Sequence, residues 1–198
     1  DRLHRFVLEG MADNKAAFGD KPVRYYPYVE VSHGAGSGLV DNLAAHASVV
    51  VTDDFPCFFI PHMLKKTARR LPTLLEAVDS NGLLPMRAAD SSFPTAYAFR
   101  RFLQRELTPH LCELPDPDPF LDAKIPEPIQ VAPSILAKWP EATDELLEAG
   151  RKVLSELPID HAVGPAAFSG GSSAARDALQ TFLDDKLNRY HEDRSQPE

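Results

Sequence analysis

Two short apolar segments of the chain, residues 48–52 and 74–78, are each followed by polar side chains that suit ligand binding. If both segments are parallel strands, their carboxyl ends meet at one edge, which is where open α/β sheets bind ligands. Aromatic rings there would stack on a flat heterocycle, while carboxylates and an amide would supply polar contacts. The candidate contacts are Asp54, Phe55, Asp79 and Asn81. An equally supported alternative is that the aromatic residues pack against a neighbouring domain.

Other residues that could take part in catalysis or ligand binding lack the spacing that such a site needs. The glycines at 34, 36 and 38 match neither common phosphate-loop pattern and predict a turn. Gly170-Gly171 predicts a flexible entry to a helix more than an anion site. The seven histidines are scattered without metal-ligand spacing, and neither Cys57 nor Cys112 has a neighbouring His. We therefore predict no catalytic residue and no metal site in this chain.

The composition is that of a folded protein. The 198 residues are 43% hydrophobic and carry a formal net charge of −8, which argues against electrostatic binding of nucleic acid by the chain as a whole. No apolar run is long enough to span a bilayer, so we expect no membrane partner. The first residues lack a signal-peptide pattern and two cysteines make no disulfide framework, so a reducing, cytoplasmic location is expected.

Hydrophobic spacing predicts alternating helices and strands in the first half of the chain. The period of apolar residues predicts helices, and runs of β-branched and aromatic residues predict strands. Ser92 is the expected N-cap of the last helix in this half. The predicted helices cover residues 2–18, 39–44, 60–71 and 94–107, and the predicted strands cover 23–31, 48–52 and 74–78.

This alternation predicts an α/β domain over residues 1–108 with a doubly wound parallel sheet of the Rossmann or flavodoxin-like type. Such sheets usually open with a buried strand, so we expect a further strand upstream of Asp1. Frequent prolines then predict a connector over residues 109–170, with helical pieces around 146–157. Residues 171–198 predict a strongly amphipathic helix. Its apolar stripe needs a partner, which is the α/β domain, another chain, or residues outside this sequence.

Five segments of the chain carry a resemblance to a known family: residues 5–11 (RFVLEGM), 50–56 (VVTDDFP), 78–85 (VDSNGLLP), 92–97 (SFPTAY) and 170–197, which begins with Gly-Gly and includes Tyr190, Arg194 and Pro197. Taken in order, they resemble the DNA photolyase/cryptochrome family, and most of all its class II cyclobutane pyrimidine dimer photolyases. The sequence departs from the family where Asp54 and Cys57-Phe58-Phe59 replace a turn that often carries Ser and a Leu-Arg step.

The resemblance implies a function for the parent protein. It would repair UV-damaged DNA by light-driven electron transfer from reduced FAD, with residues 1–108 as the antenna domain and 171–198 as the opening helix of a flavin-binding helical domain. FAD and DNA would bind mainly through residues beyond this chain, and the antenna pigment would be of deazaflavin or folate type. The full-length protein would be a monomer, and this chain alone would be inactive. The alternatives are a cryptochrome-type photoreceptor and an unrelated flavodoxin-like ligand-binding module.

Overall fold

The computed structural model describes residues 1–112, 114–121, 124–148 and 151–195. The chain forms two compact units, which we call unit 1 (Asp1–Ser37 with Lys124–Glu198) and unit 2 (Gly38–Ala123). This division follows spatial compactness, and the boundaries at residues 108 and 170 stay predictions. Gly150 in the predicted helical pattern and Pro197 and Glu198 at the end of the last predicted helix lie outside the described residues.

Unit 2 contains a parallel βαβ arrangement. Strand β1 (Val49–Asp53) pairs with β2 (Leu74–Val78) in parallel, with Val49 opposite Leu74 and Asp53 opposite Val78. Helix α3 (Ile60–Arg70) lies between the strands in sequence, and helix α2 (Leu39–Ala44) precedes β1. The α/β class is confirmed, because helices alternate with parallel strands. The described residues form a sheet of two strands, so the doubly wound architecture stays a prediction.

The second half of unit 2 is a loop followed by a long helix. A 3-10 turn (Met86–Ala88) leads to helix α4 (Ala96–His110). The predicted N-cap, Ser92, is wrong: Thr95 caps α4, and its Oγ1 accepts a hydrogen bond from the Ala98 backbone N–H at 3.1 Å. Pro94 explains the shift, because a proline biases the residue before it towards extended backbone and so delays the start of a helix.

Unit 1 is helical and has its own hydrophobic core. Its elements are α1 (Arg2–Phe18), α5 (Pro133–Lys138), α6 (Asp144–Leu147), α7 (Arg151–Glu156), α8 (Ser172–Thr181), a π-helical turn (Phe182–Lys186), a 3-10 turn (Leu187–Arg189) and α9 (Tyr190–Asp193). The buried cluster is formed by Leu8 of α1 with Ala142, Leu147, Leu154 and Leu157. The sequence therefore joins a helix from the start of the chain to helices more than a hundred residues later.

The predicted strand over residues 23–31 is wrong, because these residues form no strand. The segment is held instead by contacts with residues far along the chain. The Pro27 carbonyl accepts a hydrogen bond from the Ala142 N–H at 2.8 Å, and the Tyr26 hydroxyl donates to the Trp139 carbonyl. Proline has no N–H to donate to a strand ladder, and among the described residues no strand lies beside this segment. One backbone hydrogen bond and one side-chain hydrogen bond to distant residues thus take the place of sheet pairing.

Two carboxylates of α1 hold the start of α8. Glu9 Oε2 accepts a hydrogen bond from the Gly170 N–H at 2.7 Å, and Asp13 Oδ2 accepts one from the Ser173 N–H at 2.8 Å. The hydrogen bonds from Ser173 lower the pKa of Asp13 below its ordinary value. Gly171 has φ +97°, which favours glycine. The glycine pair is therefore closely packed against α1, whereas the sequence predicted a flexible entry to the helix.

The predicted amphipathic helix at the end of the chain is present as α8 and the turns that follow it. Its apolar stripe is not enclosed within unit 1: the side chains of Leu179, Leu183 and Leu187 are 56%, 43% and 47% exposed. α8 contacts α1 near its N-terminus through the turn described above. The stripe thus remains available for a partner.

Candidate ligand site at the strand ends

Three of the four predicted contact residues meet where β1 and β2 end. Asn81 Nδ2 donates hydrogen bonds to the Asp54 carbonyl oxygen at 2.8 Å and to Asp79 Oδ1 at 3.2 Å. The Ser80 hydroxyl donates to Asp53 Oδ1, which ties the two strand ends together a second time. These residues come together because the strands are parallel and in register, so both carboxyl ends lie at one edge. We call Asp53, Asp54, Asp79, Ser80 and Asn81 the strand-end cluster.

Phe55, the fourth predicted residue, directly follows Asp54 and its side chain is 38% exposed. Phe58 and Phe59 further along the same loop are 88% and 67% exposed, so none of the three rings belongs to a core. Phe58 has φ +57°, a left-handed conformation that is uncommon for a residue other than glycine. The loop after β1 therefore presents aromatic surface beside the strand-end cluster, while its role in binding stays a prediction.

Asp79 organises the loop that leaves β2. Its Oδ2 accepts a hydrogen bond from the Met86 backbone N–H at 2.6 Å, and its Oδ1 accepts one from the Asn81 backbone N–H at 3.2 Å. These hydrogen bonds, with that of Met86 the largest cause, lower the pKa of Asp79 below its ordinary value of 3.8. Both carboxylate oxygens are thus engaged within the loop. The chemistry of Asp79 in this structure is that of an anchor for residues 81–86.

The anchor leads to a specific prediction for Asp79→Asn. An amide has only one acceptor oxygen and no charge, so the substitution should weaken the hydrogen bond from the Met86 N–H. We expect hydrogen exchange of the Met86 amide at pH 7 to become about tenfold faster or more. Because the pKa of Asp79 is lowered on folding, the same protection in the unchanged chain should persist above pH 3.8 and be lost as the pH falls through the lowered pKa.

Amide exchange measured residue by residue with NMR checks this prediction. Asp90→Asn is the matched control, since it removes the same charge from the segment between the 3-10 turn and α4 without touching the Asp79 contacts. Equal Met86 exchange in the unchanged chain and in Asp79→Asn would show that another feature fixes the loop.

An apolar pocket that the sequence did not predict lies beside the strand-end cluster. It has a volume of about 530 Å³ and opens to solvent. Its two walls are the loop after β2 and one side of α4. The lining residues are Gly82, Leu83, Leu84, Pro85, Met86, Ala89, Phe93, Phe99, Phe102, Leu103 and Leu107. The signal in the sequence was the run Leu83-Leu84-Pro85, an apolar run that directly follows the polar turn at residues 79–82.

One residue of the pocket lining, Met86, contacts the strand-end cluster. Met86 lines the pocket, its backbone N–H is bound by Asp79, and its sulfur lies 3.8 Å from Asn81 Nδ2. Polar groups on one side and an apolar cavity on the other make an arrangement typical of small-molecule sites, which are mostly apolar with few polar groups. In the part of the chain that the structure describes, no group of His, Cys, Asp and Glu residues could hold a metal ion. Cys57 and Cys112 are both free and exposed.

Comparison of the chain with models of protein families, with curated proteins and with solved structures finds no match. Within the described residues, every helix is too short or too polar to cross a lipid bilayer. The class of protein that the fold and the site define is therefore an α/β protein with a parallel strand pair and a candidate ligand site at the ends of its strands.

Proposed function

We propose that this chain is the antenna-type part of a light-dependent DNA repair flavoprotein of the photolyase class. The observation that carries the proposal is the meeting of the two strand ends through Asn81, in the segment Val78–Pro85 that resembles the family. Parallel strands joined by a helix are the building unit of a doubly wound sheet, and further strands outside this chain would complete that sheet.

In this proposal the chain holds a pigment and the parent protein performs the repair. The strand-end cluster with Phe55 contacts a deazaflavin- or folate-type pigment at the carboxyl edge of the sheet. FAD and UV-damaged DNA bind to a helical domain that continues beyond residue 198. The chain by itself therefore repairs no DNA, and its contribution is to collect light and pass the excitation to the flavin.

The test of the parent activity uses the full-length protein. We expect purified protein to show the absorbance of FAD and, after reduction, to convert cyclobutane pyrimidine dimers in a DNA oligonucleotide under blue light but not in the dark. Protein without FAD would overturn the proposal. FAD without dimer turnover would overturn it in favour of the cryptochrome-type photoreceptor, which shares the fold but does not repair.

The pigment site is tested with the 198-residue chain. We expect 8-hydroxy-5-deazaflavin or methenyltetrahydrofolate to bind with one site per chain, as followed by its fluorescence. Phe55→Ala should weaken that binding about tenfold or more, because a lost stacking surface costs an aromatic contact. Tyr97→Ala is the control, since Tyr97 is an exposed ring in the same unit but outside the strand-end cluster. Equal affinity of both variants would contradict the role of Phe55.

A further inference from the structure

We propose that the apolar pocket between residues 82–86 and α4 binds an uncharged, planar aromatic ring system, with the strand-end cluster facing the polar part of the same ligand. The inference rests on the proposed function in one respect only, namely that a ligand binds at the strand ends. It adds a second set of binding residues, on α4, to a site that the sequence placed entirely at the strand ends.

The charge of the ligand follows from the lining. None of the side chains that line the pocket is charged or carries a polar hydrogen-bonding group. The backbone N–H of Met86 on the loop wall is already bound by Asp79. A charged group placed against this lining would lose part of its hydration without gaining a partner, which is unfavourable. The portion of the ligand in the pocket is therefore uncharged.

The aromatic character of the ligand follows from three phenylalanines. The ring of Phe93 lies 5.4 Å from that of Phe99 and 4.8 Å from that of Phe102, with interplanar angles of 55° and 43°. All three rings line the cavity, and aromatic partners prefer offset or edge-to-face contacts of the kind these rings already make with one another. The Met86 thioether on the opposite wall also makes favourable contacts with ring edges. A flat aromatic system uses all of these surfaces.

The size and the position of the pocket indicate the size of the ligand and the direction of its polar substituents. A volume of about 530 Å³ lies within the range of small-molecule sites. Asp79 acts as a positioning residue, because its carboxylate fixes Met86 and thereby the loop wall. Since Asn81 lies against Met86, a ring seated in the pocket would direct its polar substituents towards the strand-end cluster.

The test uses a matched pair of probes and the methionine methyl groups as reporters. 2-Naphthol is a flat fused aromatic, and decahydro-2-naphthol is its saturated counterpart. The chain has three methionines. Met86 lines the pocket, Met63 lies on α3, and Met11 lines a shallower groove in unit 1, so the last two report unspecific binding. With 13C-methyl methionine in the 198-residue chain, we expect 2-naphthol to shift the Met86 signal saturably, about tenfold more tightly than decahydro-2-naphthol.

A filled pocket supplies the second half of the test. Ala89→Phe places a ring in the cavity and should reduce 2-naphthol affinity about tenfold or more, while Tyr97→Ala should leave it unchanged. A shift of Met11 or Met63 equal to that of Met86 would overturn the inference, as would equal affinity for the saturated probe. If Ala89→Phe does not fold, the comparison of the three methionines and the two probes in the unchanged chain decides the matter.

The outcomes separate this inference from the proposed function. A full-length protein that lacks FAD, together with a saturable Met86 response to 2-naphthol, would overturn the repair assignment and support the pocket. FAD-dependent dimer repair with a silent Met86 signal would overturn the pocket alone.

Discussion

Gly170→Ala is expected to lower the free energy of unfolding of unit 1 by about 3 kcal/mol. A Cβ at this position would lie 2.0 Å from the Phe6 carbonyl oxygen and 2.8 Å from its carbonyl carbon. Both are backbone atoms of α1, so relief requires α1 to move away from the turn before α8. That movement would also stretch the hydrogen bond from the Gly170 N–H to Glu9.

Denaturant unfolding followed by tryptophan fluorescence measures this effect. Trp139 is the single tryptophan of the chain and belongs to unit 1, so its emission reports on that unit. Gly164→Ala is the matched control, because its Cβ would have no neighbour within 4 Å. We expect the control to change the unfolding free energy by less than about 0.5 kcal/mol. A Gly170→Ala chain as stable as the control would show that the close approach to Phe6 does not exist in solution.

The second large effect is expected for Leu147→Ala. Leu147 is 1% exposed and packs in the cluster with Leu8, Leu154 and Leu157. Truncation removes apolar surface from the core and leaves a cavity between α1 and the later helices. Substitutions of this type cost about 2–5 kcal/mol, and the full burial of Leu147 places it near the middle of that range.

The same fluorescence transition measures this loss. Ile129→Ala is the control, since Ile129 is also a large aliphatic residue of unit 1 but is 80% exposed. Its truncation should be nearly neutral. If both variants unfold at the same denaturant concentration, the cluster around Leu147 does not form the core of unit 1.

The elements predictable from the sequence were those whose signals are local. The apolar run at residues 49–51 and the helical spacing after Ile60 specify β1 and α3 without reference to the rest of the chain. The segment around Tyr26 was mispredicted because its β-forming residues are satisfied by Trp139 and Ala142, more than a hundred positions away. The composition of a segment indicates its preference for extended backbone, but it does not indicate which distant residues will pair with it.

The candidate site also has one part that was predictable from the sequence and one part that was not. The meeting of Asp54 with Asn81 follows from parallel pairing alone, so it was predictable once two strands were recognised. The anchoring role of Asp79 and the adjacent pocket depend on the path of the loop to Met86 and on the rotation of α4, which no local pattern specifies. Apolar spacing predicted the helix α4 but not its surroundings: Phe99, at 45% exposure, lies at an open cavity.

Unit 1 is built from two separate stretches of the chain, and this affects how the chain folds during synthesis. Unit 2 is continuous, so its strands and helices are all available once residues 38–123 have left the ribosome. The core around Leu8, in contrast, cannot form until Leu147 and Leu154 have been synthesised. α1 therefore emerges early with Leu8, which is 4% exposed in the folded unit, still open to solvent, and the closure of a loop of this length carries an entropic cost that unit 2 avoids. Nascent chains stalled before residue 124 should hold a folded insert flanked by an unprotected amphipathic helix, which is the kind of surface that chaperones bind.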